Sequence, residues 1–157
     1  MFKALRLANN GLSAAEITED LNRSADMQSI YVAVNTLEHL KKSGRVTAAG
    51  AAVGTLLGIK PVLQIQGGKL DAYKKVRGMQ NAVSAMLDGI ESDLKTKFIG
   101  ENIEIRTAYS GDRSAGEAFL NATAERFPEY KIELDAIPIS ISCHVGAGAL
   151  GIGISVI

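Results

Sequence analysis

The chain has 157 residues, of which 46% are hydrophobic and 22% are charged, as is usual for a folded globular domain. Its 17 basic and 17 acidic residues balance and tryptophan is absent, which argues against nucleic acid as a partner. No apolar run reaches the roughly 20 residues that span a membrane. The single cysteine, Cys143, excludes an internal disulfide and favours a cytoplasmic location.

The first half of the chain predicts short helices followed by a β-hairpin. Residues 2–9 read as a helix, and Ser13 to Glu16 has the S-x-x-E form of a capping box at the start of a second helix. Alternating apolar residues and glycine stops then predict strand, helix, helix and two hairpin strands. These elements cover residues 29–34, 36–42, 48–57, 59–66 and 69–76.

The second half predicts a long helix over residues 78–98, and then strands that alternate with a further helix. The strands are expected at 103–108, 130–134, 139–142 and 151–157, and the helix at 114–127. Strands joined by helices, together with a direct hairpin, predict an α/β domain with a mixed sheet and flanking helices. Residues 1–27 are expected to form a helical connection, and residues 28–157 the domain itself.

The predicted helix at 48–57 consists mainly of small residues, among them Ala48 and Ala52, with Leu56 near its end. Glycine inside a helix costs about 1 kcal/mol relative to alanine, so its repeated use there needs a packing reason. Close approach of another backbone is one reason, and room for an apolar ligand chain is another. Composition alone favours tight packing but leaves both open.

His144 follows an apolar segment and precedes Gly146 and Gly148. Glycines let a ligand come close to the backbone, and an imidazole there can donate a hydrogen bond to a carboxylate or a phosphate. The alternative is a histidine satisfied by a backbone carbonyl. Cys143 is adjacent, but neighbouring residues on a strand point to opposite faces, which argues against a thiolate dyad.

Nothing else in the sequence indicates catalysis. It shows no nucleophile with a matched base, no Walker glycine loop, and no cluster of metal ligands. The basic run that ends at Arg77 is by default a solvated surface. Neither a cofactor nor a metal is therefore expected.

Three segments between residues 35 and 153 carry a recognisable pattern: TLEHLKKSGRV with LLGIKPVL, GGKLDAYKKVRG, and CHVGAGALGIG. In their order and spacing they resemble the DegV family, which includes the fatty-acid-binding subunits of bacterial fatty acid kinase. The sequence departs from the family pattern at Asn35, His39, Ser43 and Ala147, but it keeps His144.

The resemblance implies the carboxy-terminal half of a two-domain protein that encloses a long-chain fatty acid and is not itself an enzyme. In that family a separate kinase protein phosphorylates the bound carboxylate. His144 matches a carboxylate ligand, and the other ligands, serine and threonine hydroxyls, belong to the amino-terminal domain. For a truncated half, the resemblance therefore implies fatty acid binding that is weak or undetectable.

Further site residues follow from the same resemblance. Gly146 and Gly148 are expected at the head group, and Ala48, Ala52 and Leu56 along the acyl chain. Arg45 and Arg77 match arginines suited to docking the kinase or guarding the mouth of the site. Alternative readings are a structural module that forms a homodimer through its exposed apolar face, and a subunit of a phosphotransferase.

Overall fold

The computed structural model describes residues 2–25, 27–45, 58–66 and 69–157. These residues form six helices and six strands. The helices are α1 (Phe2–Asn9), α2 (Ala14–Ser24), α3 (Glu38–Lys42), α4 (Met79–Thr96), α5 (Arg113–Arg126) and α6 (Ile139–Val145). The strands are β1 (Gln28–Ala33), β2 (Ile59–Gln66), β3 (Lys69–Arg77), β4 (Ile103–Tyr109), β5 (Ile132–Ala136) and β6 (Leu150–Val156).

The strands form one sheet in the order β3-β2-β1-β6-β4-β5. β4 and β5 pair in parallel, with α5 as their crossover, whereas the other neighbours are antiparallel. This arrangement confirms the predicted α/β class with a mixed sheet. The predicted hairpin is also present as β2 and β3, and Pro61 lies early in β2, where β1 has already ended.

The main core lies between one face of the sheet and the helices α4 and α5. β1 alternates accordingly: Ser29, Tyr31 and Ala33 are buried under the helices. On α4, the apolar residues Met79, Val83, Met86, Leu87, Ile90 and Leu94 recur at helical spacing and are buried or partly buried against the same cluster. The opposite surface of the sheet, which α4 and α5 do not cover, is called the open face below.

A buried polar network crosses the main core. The Tyr31 hydroxyl donates to the carboxylate of Asp93, which is 4% exposed, at 2.8 Å. Lys97 lies 2.7 Å from the other oxygen of that carboxylate. The amide nitrogen of Gln66 is 3.5 Å from the oxygen that accepts from Tyr31. Burial, and then the hydrogen bond to Asp93, raise the pKa of Tyr31 far above its ordinary value. The network therefore holds the Tyr31 ring in a fixed position between the sheet and α4.

The substitution Tyr31→Phe keeps the ring but removes its hydroxyl. We expect a loss of about 1 kcal/mol at neutral pH, because Asp93 retains Lys97 as a partner. Above about pH 10, unfolded tyrosine loses its proton while native Tyr31 keeps it. The native state then binds more protons, so the free energy of unfolding falls as pH rises. Urea titrations at pH 7 to 11 should show a smaller alkaline fall in Tyr31→Phe than in Tyr130→Phe; equal falls would contradict this role.

The amino-terminal helices form a small unit of their own. Ser13 caps α2 with both bonds of the predicted capping box, since its side chain accepts from the Glu16 amide and Glu16 accepts from the Ser13 amide. Lys3 of α1 joins the two helices through Asp20 at 2.7 Å and the Ser24 hydroxyl at 2.9 Å. The capping prediction is confirmed.

The prediction of a strand over residues 139–142 is wrong, because this segment is helix α6. Pro138 precedes the first turn, and its carbonyl accepts from the amides of Ile141 and Ser142. The edge beside β6 is already filled: Ser110, just after β4, exchanges backbone hydrogen bonds with Gly148 and Ala149. The apolar alternation of this segment therefore reflects isoleucines placed over the open face rather than a strand. His144 and Cys143 consequently lie on a helix, and the strand-based argument about their directions does not apply.

Candidate functional site

The open face carries an apolar groove of about 330 Å³. Its floor is β6, where Gly151 and Gly153 contribute no side chains. In the sheet register, Val32 of β1 and Ala108 of β4 flank Gly151, while Ile30 and Arg106 flank Gly153. Side chains of β1 and β4 thus stand on both sides of two positions that have none, and the result is a channel over Gly151 and Gly153. The lining residues are Gln28, Ile30, Val32, Ile65, Arg106, Thr107, Ala108, Asp135, Ala136, Ile137, Pro138, Ile141, Val145 and 151–155.

One end of the groove is closed by α6 and the residues before it. Ile137, Pro138, Ile141 and Val145 line this end, and Val145 packs into a second apolar cluster beneath α3. Ile139 and Ile141 remain 83% and 50% exposed. An apolar ligand lying on β6 would therefore meet aliphatic side chains from β1 and from α6.

The loop at 146–149 follows α6 and holds a tight geometry. Gly148 has φ +76°, and a Cβ placed there would lie 2.1 Å from the Asn35 amide nitrogen. Asn35 uses that nitrogen to donate to the Ala147 carbonyl at 3.0 Å, and its oxygen accepts from Lys60 at 2.9 Å. Gly146, with φ +79°, packs against the ring of His39. Both predicted site glycines are therefore required by the loop itself.

His144 lies in the last turn of α6, just before this loop. Its ring is half-buried, and its Nδ1 atom is buried with no hydrogen-bond partner among the described residues. Buried polar atoms are rarely left unpaired, so this nitrogen calls for an explanation. The groove lining includes its helix neighbours Ile141 and Val145 but not His144 itself.

A hydroxyl pair lies next to the same loop. The Ser110 hydroxyl donates to that of Ser142 at 3.1 Å, and Ser142 donates to the Ile137 carbonyl at 3.1 Å. These bonds fix α6 to the end of β4. The sequence analysis missed both serines, since nothing in their spacing of 32 residues indicates that they meet.

A charged cluster borders the groove on its β5 side. Arg106 lies 2.8 Å from both Glu133 and Asp135 and 3.9 Å from Glu104. The hydrogen bond to Asp135, followed by the charges of the acids, raises the pKa of Arg106. Three carboxylates around one guanidinium make this edge a poor place for another anion.

The remaining predicted residues are dispersed. Ala48, Ala52 and Leu56 lie outside the described residues. Arg45 is exposed after α3, with its guanidinium donating to the Ser43 carbonyl at 2.9 Å. Arg77 is exposed at the end of β3 and lines a separate pocket of about 340 Å³ between β3 and α4.

The described residues contain neither a metal-binding cluster nor a membrane-spanning helix. No group of three or more histidine, cysteine, aspartate or glutamate side chains is placed to hold a metal ion. Among the helices of the same residues, none has the length and apolar character to cross a membrane.

A mixed sheet with long helices on one face and an apolar groove on the other defines an α/β domain with close counterparts among solved structures. A fatty-acid-binding DegV family protein from Streptococcus agalactiae superimposes with a TM-score of 0.82 at 27% identity, over 99% of this chain and 54% of its own. A DegV family protein from Thermus thermophilus, which is described as binding fatty acid, superimposes with a TM-score of 0.82 at 28% identity. The match covers 99% of this chain and 55% of that protein.

The sequence matches the family described as "uncharacterised protein, DegV family" over residues 1–156. The chain belongs to the DegV family. A DegV domain-containing protein of Listeria monocytogenes is 32% identical over 148 residues, which are 94% of this chain and 50% of that protein. The chain thus spans about half the length of the curated relatives that it matches.

Proposed function

We propose that this chain binds a long-chain fatty acid, with the acyl chain in the groove on the open face and the carboxylate near His144. The observation that carries the proposal is the apolar channel along β6, in a fold shared with fatty-acid-binding proteins of the same family. Residues 28–157 would supply one wall of the site, residues 1–27 would connect it to another half, and the protein would act in the cytoplasm.

A fatty acid has an apolar chain and an anionic head group, and these two parts suit the groove and its α6 end respectively. Each methylene buried in the groove contributes about 0.8 kcal/mol, so a long chain gains affinity from an aliphatic channel. The carboxylate needs donors, because a buried unpaired charge is very costly. The α6 end offers the unpaired Nδ1 of His144. The β5 edge holds three carboxylates around Arg106 and would repel the head group.

A photoactivatable hexadecanoate is expected to label this chain within the groove. In Ile30→Glu, a carboxylate would stand in the channel beside Gly153 and repel the acid, so labelling should fall about tenfold or more. Ala72→Glu is the matched control, because Ala72 is an exposed strand residue outside the groove lining. Mass spectrometry of the labelled peptides measures both. Unchanged labelling in Ile30→Glu, or labelling confined to the face under α4, would contradict the proposal.

We further propose that the bound acid is presented to a separate kinase protein, which phosphorylates its carboxylate. The supporting observations are the open groove and the absence, in the sequence, of a Walker loop of its own. Arg45 and Arg77 are both exposed, so a partner is able to reach them.

Replacing Arg77 by alanine is expected to lower acyl phosphate formation with the kinase severalfold while fatty acid binding stays within about twofold. The reason is its position on the far side of the hairpin from the groove lining. Arg113→Ala on α5, also exposed, serves as control. Equal losses of binding and phosphorylation in Arg77→Ala would assign Arg77 to the lipid site instead.

The exposed isoleucines favour one alternative, a module that dimerises through the open face. Ile139 and Ile141 are exposed on α6, and Ile141 lines the groove, so a second copy could cover them. Light scattering with and without hexadecanoate distinguishes the cases. A dimer that persists and excludes the acid would support the alternative, and a chain that takes up the acid would support lipid binding.

A further inference from the structure

Four glycines among the described residues have an evident steric reason. A Cβ on Gly89 of α4 would lie 2.8 Å from the Tyr31 ring, and one on Gly116 of α5 would lie 2.7 Å from the Tyr109 ring. Gly146 and Gly148 have positive φ angles and equally close neighbours. At each of these positions a side chain would strain the fold.

Gly151 and Gly153 have no such reason. Neither has a positive φ, and both lie in regular antiparallel pairing with β1 and β4. A Cβ on Gly151 would come no closer than 3.7 Å to another atom, and one on Gly153 no closer than 3.4 Å to Ile30. Glycine weakens a strand interior, and one recognised reason for it is close approach of a ligand. What a side chain would occupy here is the floor of the groove.

We propose that Gly151 and Gly153 determine the path of the acyl chain and the longest acid that this site accepts. The inference rests on the proposed fatty acid binding and adds residues to it. The acyl chain would run from the α6 end over Gly151 and then over Gly153. Val32 and Ile30 of β1 would flank it on one side, and Ala108 and the stem of Arg106 on the other. The proposed site is the groove. At Gly151 and at Gly153, the addition of a single Cβ atom would make the groove shallower.

Their spacing gives the inference a quantitative form. Residues two apart on an antiparallel strand are separated by about 6.8 Å. A zigzag hydrocarbon advances roughly 1.3 Å per carbon, the projection of a C–C bond of about 1.5 Å, so this interval corresponds to about five carbons. The longest acid that Gly151→Val accepts should therefore be about five carbons shorter than the longest acid that Gly153→Val accepts.

The test measures how saturated acids of increasing length compete with photoactivatable hexadecanoate for labelling of the 157-residue chain. Gly153→Val is expected to weaken competition by octadecanoate about tenfold or more, since each methylene displaced from the groove weakens binding roughly fourfold. Acids short enough to end before residue 153 should compete within about twofold of the original chain. Gly151→Val should shift the cut-off to shorter acids. Gly153→Ala should give an intermediate result, and Ala72→Val is the control outside the groove.

Thermal stability separates this role from a structural one. Valine favours strands and the distances around Gly153 leave room for a Cβ atom, so Gly153→Ala and Gly153→Val should melt at or above the temperature of the original chain. If the strand itself required glycine at residue 153, both variants would instead have a lower melting temperature than the original chain.

Three results would overturn the inference. One is a pair of valine variants with the same length profile as the original chain. Another is an equal loss of binding for short and long acids, and the third is a lower melting temperature in Gly153→Ala. If the original chain binds no acid of any length, the proposed function fails and this inference falls with it; binding with an unchanged length profile overturns the inference alone.

Discussion

Replacing His144 by alanine is expected to weaken fatty acid binding by about 10- to 150-fold, which corresponds to ~1.5–3 kcal/mol for a hydrogen bond to a charged group. The reason is its buried Nδ1, which has no partner among the described residues and belongs to the helix that lines one end of the groove. Competition against photoactivatable hexadecanoate measures the change. The loss should be the same for short and long acids, because the head group is common to all of them.

Cys143→Ala is the matched control for that experiment, since Cys143 is the exposed neighbour on the same helix. Its affinity should stay within about twofold of the original chain. His39→Ala tests the only other histidine, whose ring packs on Gly146. If His39→Ala loses binding and His144→Ala does not, the head group is held by α3 rather than by α6.

Replacing Gly89 by alanine is expected to destabilise the fold by about 1–3 kcal/mol, the usual cost of overpacking a core. Helix propensity alone would predict a gain of about 1 kcal/mol, so the sign of the change decides which effect dominates. The new methyl would lie 2.8 to 3.2 Å from three atoms of the Tyr31 ring. That ring is 2% exposed and is held by Asp93, so it has little freedom to withdraw.

Ser92→Ala, one turn further along α4, is the control because Ser92 is exposed. It should be neutral or slightly stabilising, as its helix propensity predicts. Urea unfolding of the two variants measures the difference. A Gly89→Ala chain as stable as Ser92→Ala would show that the packing between α4 and β1 is looser than these distances imply.

Local sequence signals predicted the regular elements well. The apolar stripe of α4 and the alternation in β1 follow from burial on one face, and the capping box at Ser13 is a pattern of adjacent residues. Such features depend on nearby positions, so the sequence contains them directly. The buried Asp93 was not predicted, because its partner Tyr31 is 62 residues away and a carboxylate on a helix ordinarily faces solvent.

The segment before His144 shows the limit of periodicity. Isoleucines at alternate positions predict a strand, yet tertiary contacts made this stretch a helix over the open face. The groove was likewise not foreseen from pattern, since it arises where glycines of β6 pass between side chains of β1 and β4. The sequence shows glycines at the alternate positions 151 and 153. Only the register of the sheet shows that both lie between side chains of β1 and β4. The candidate role of His144 came from family resemblance.

The most direct test of lipid binding is an isotope-filtered nuclear Overhauser experiment on the ¹³C-labelled chain with unlabelled hexadecanoate. The method detects contacts even when binding is weak. The proposed site predicts contacts from the acyl methylenes to the methyl groups of Ile30, Val32 and Ile141, and none to Met86 or Phe119 in the core. Contacts to the α4 side of the sheet, or no contacts at saturating acid, would contradict it.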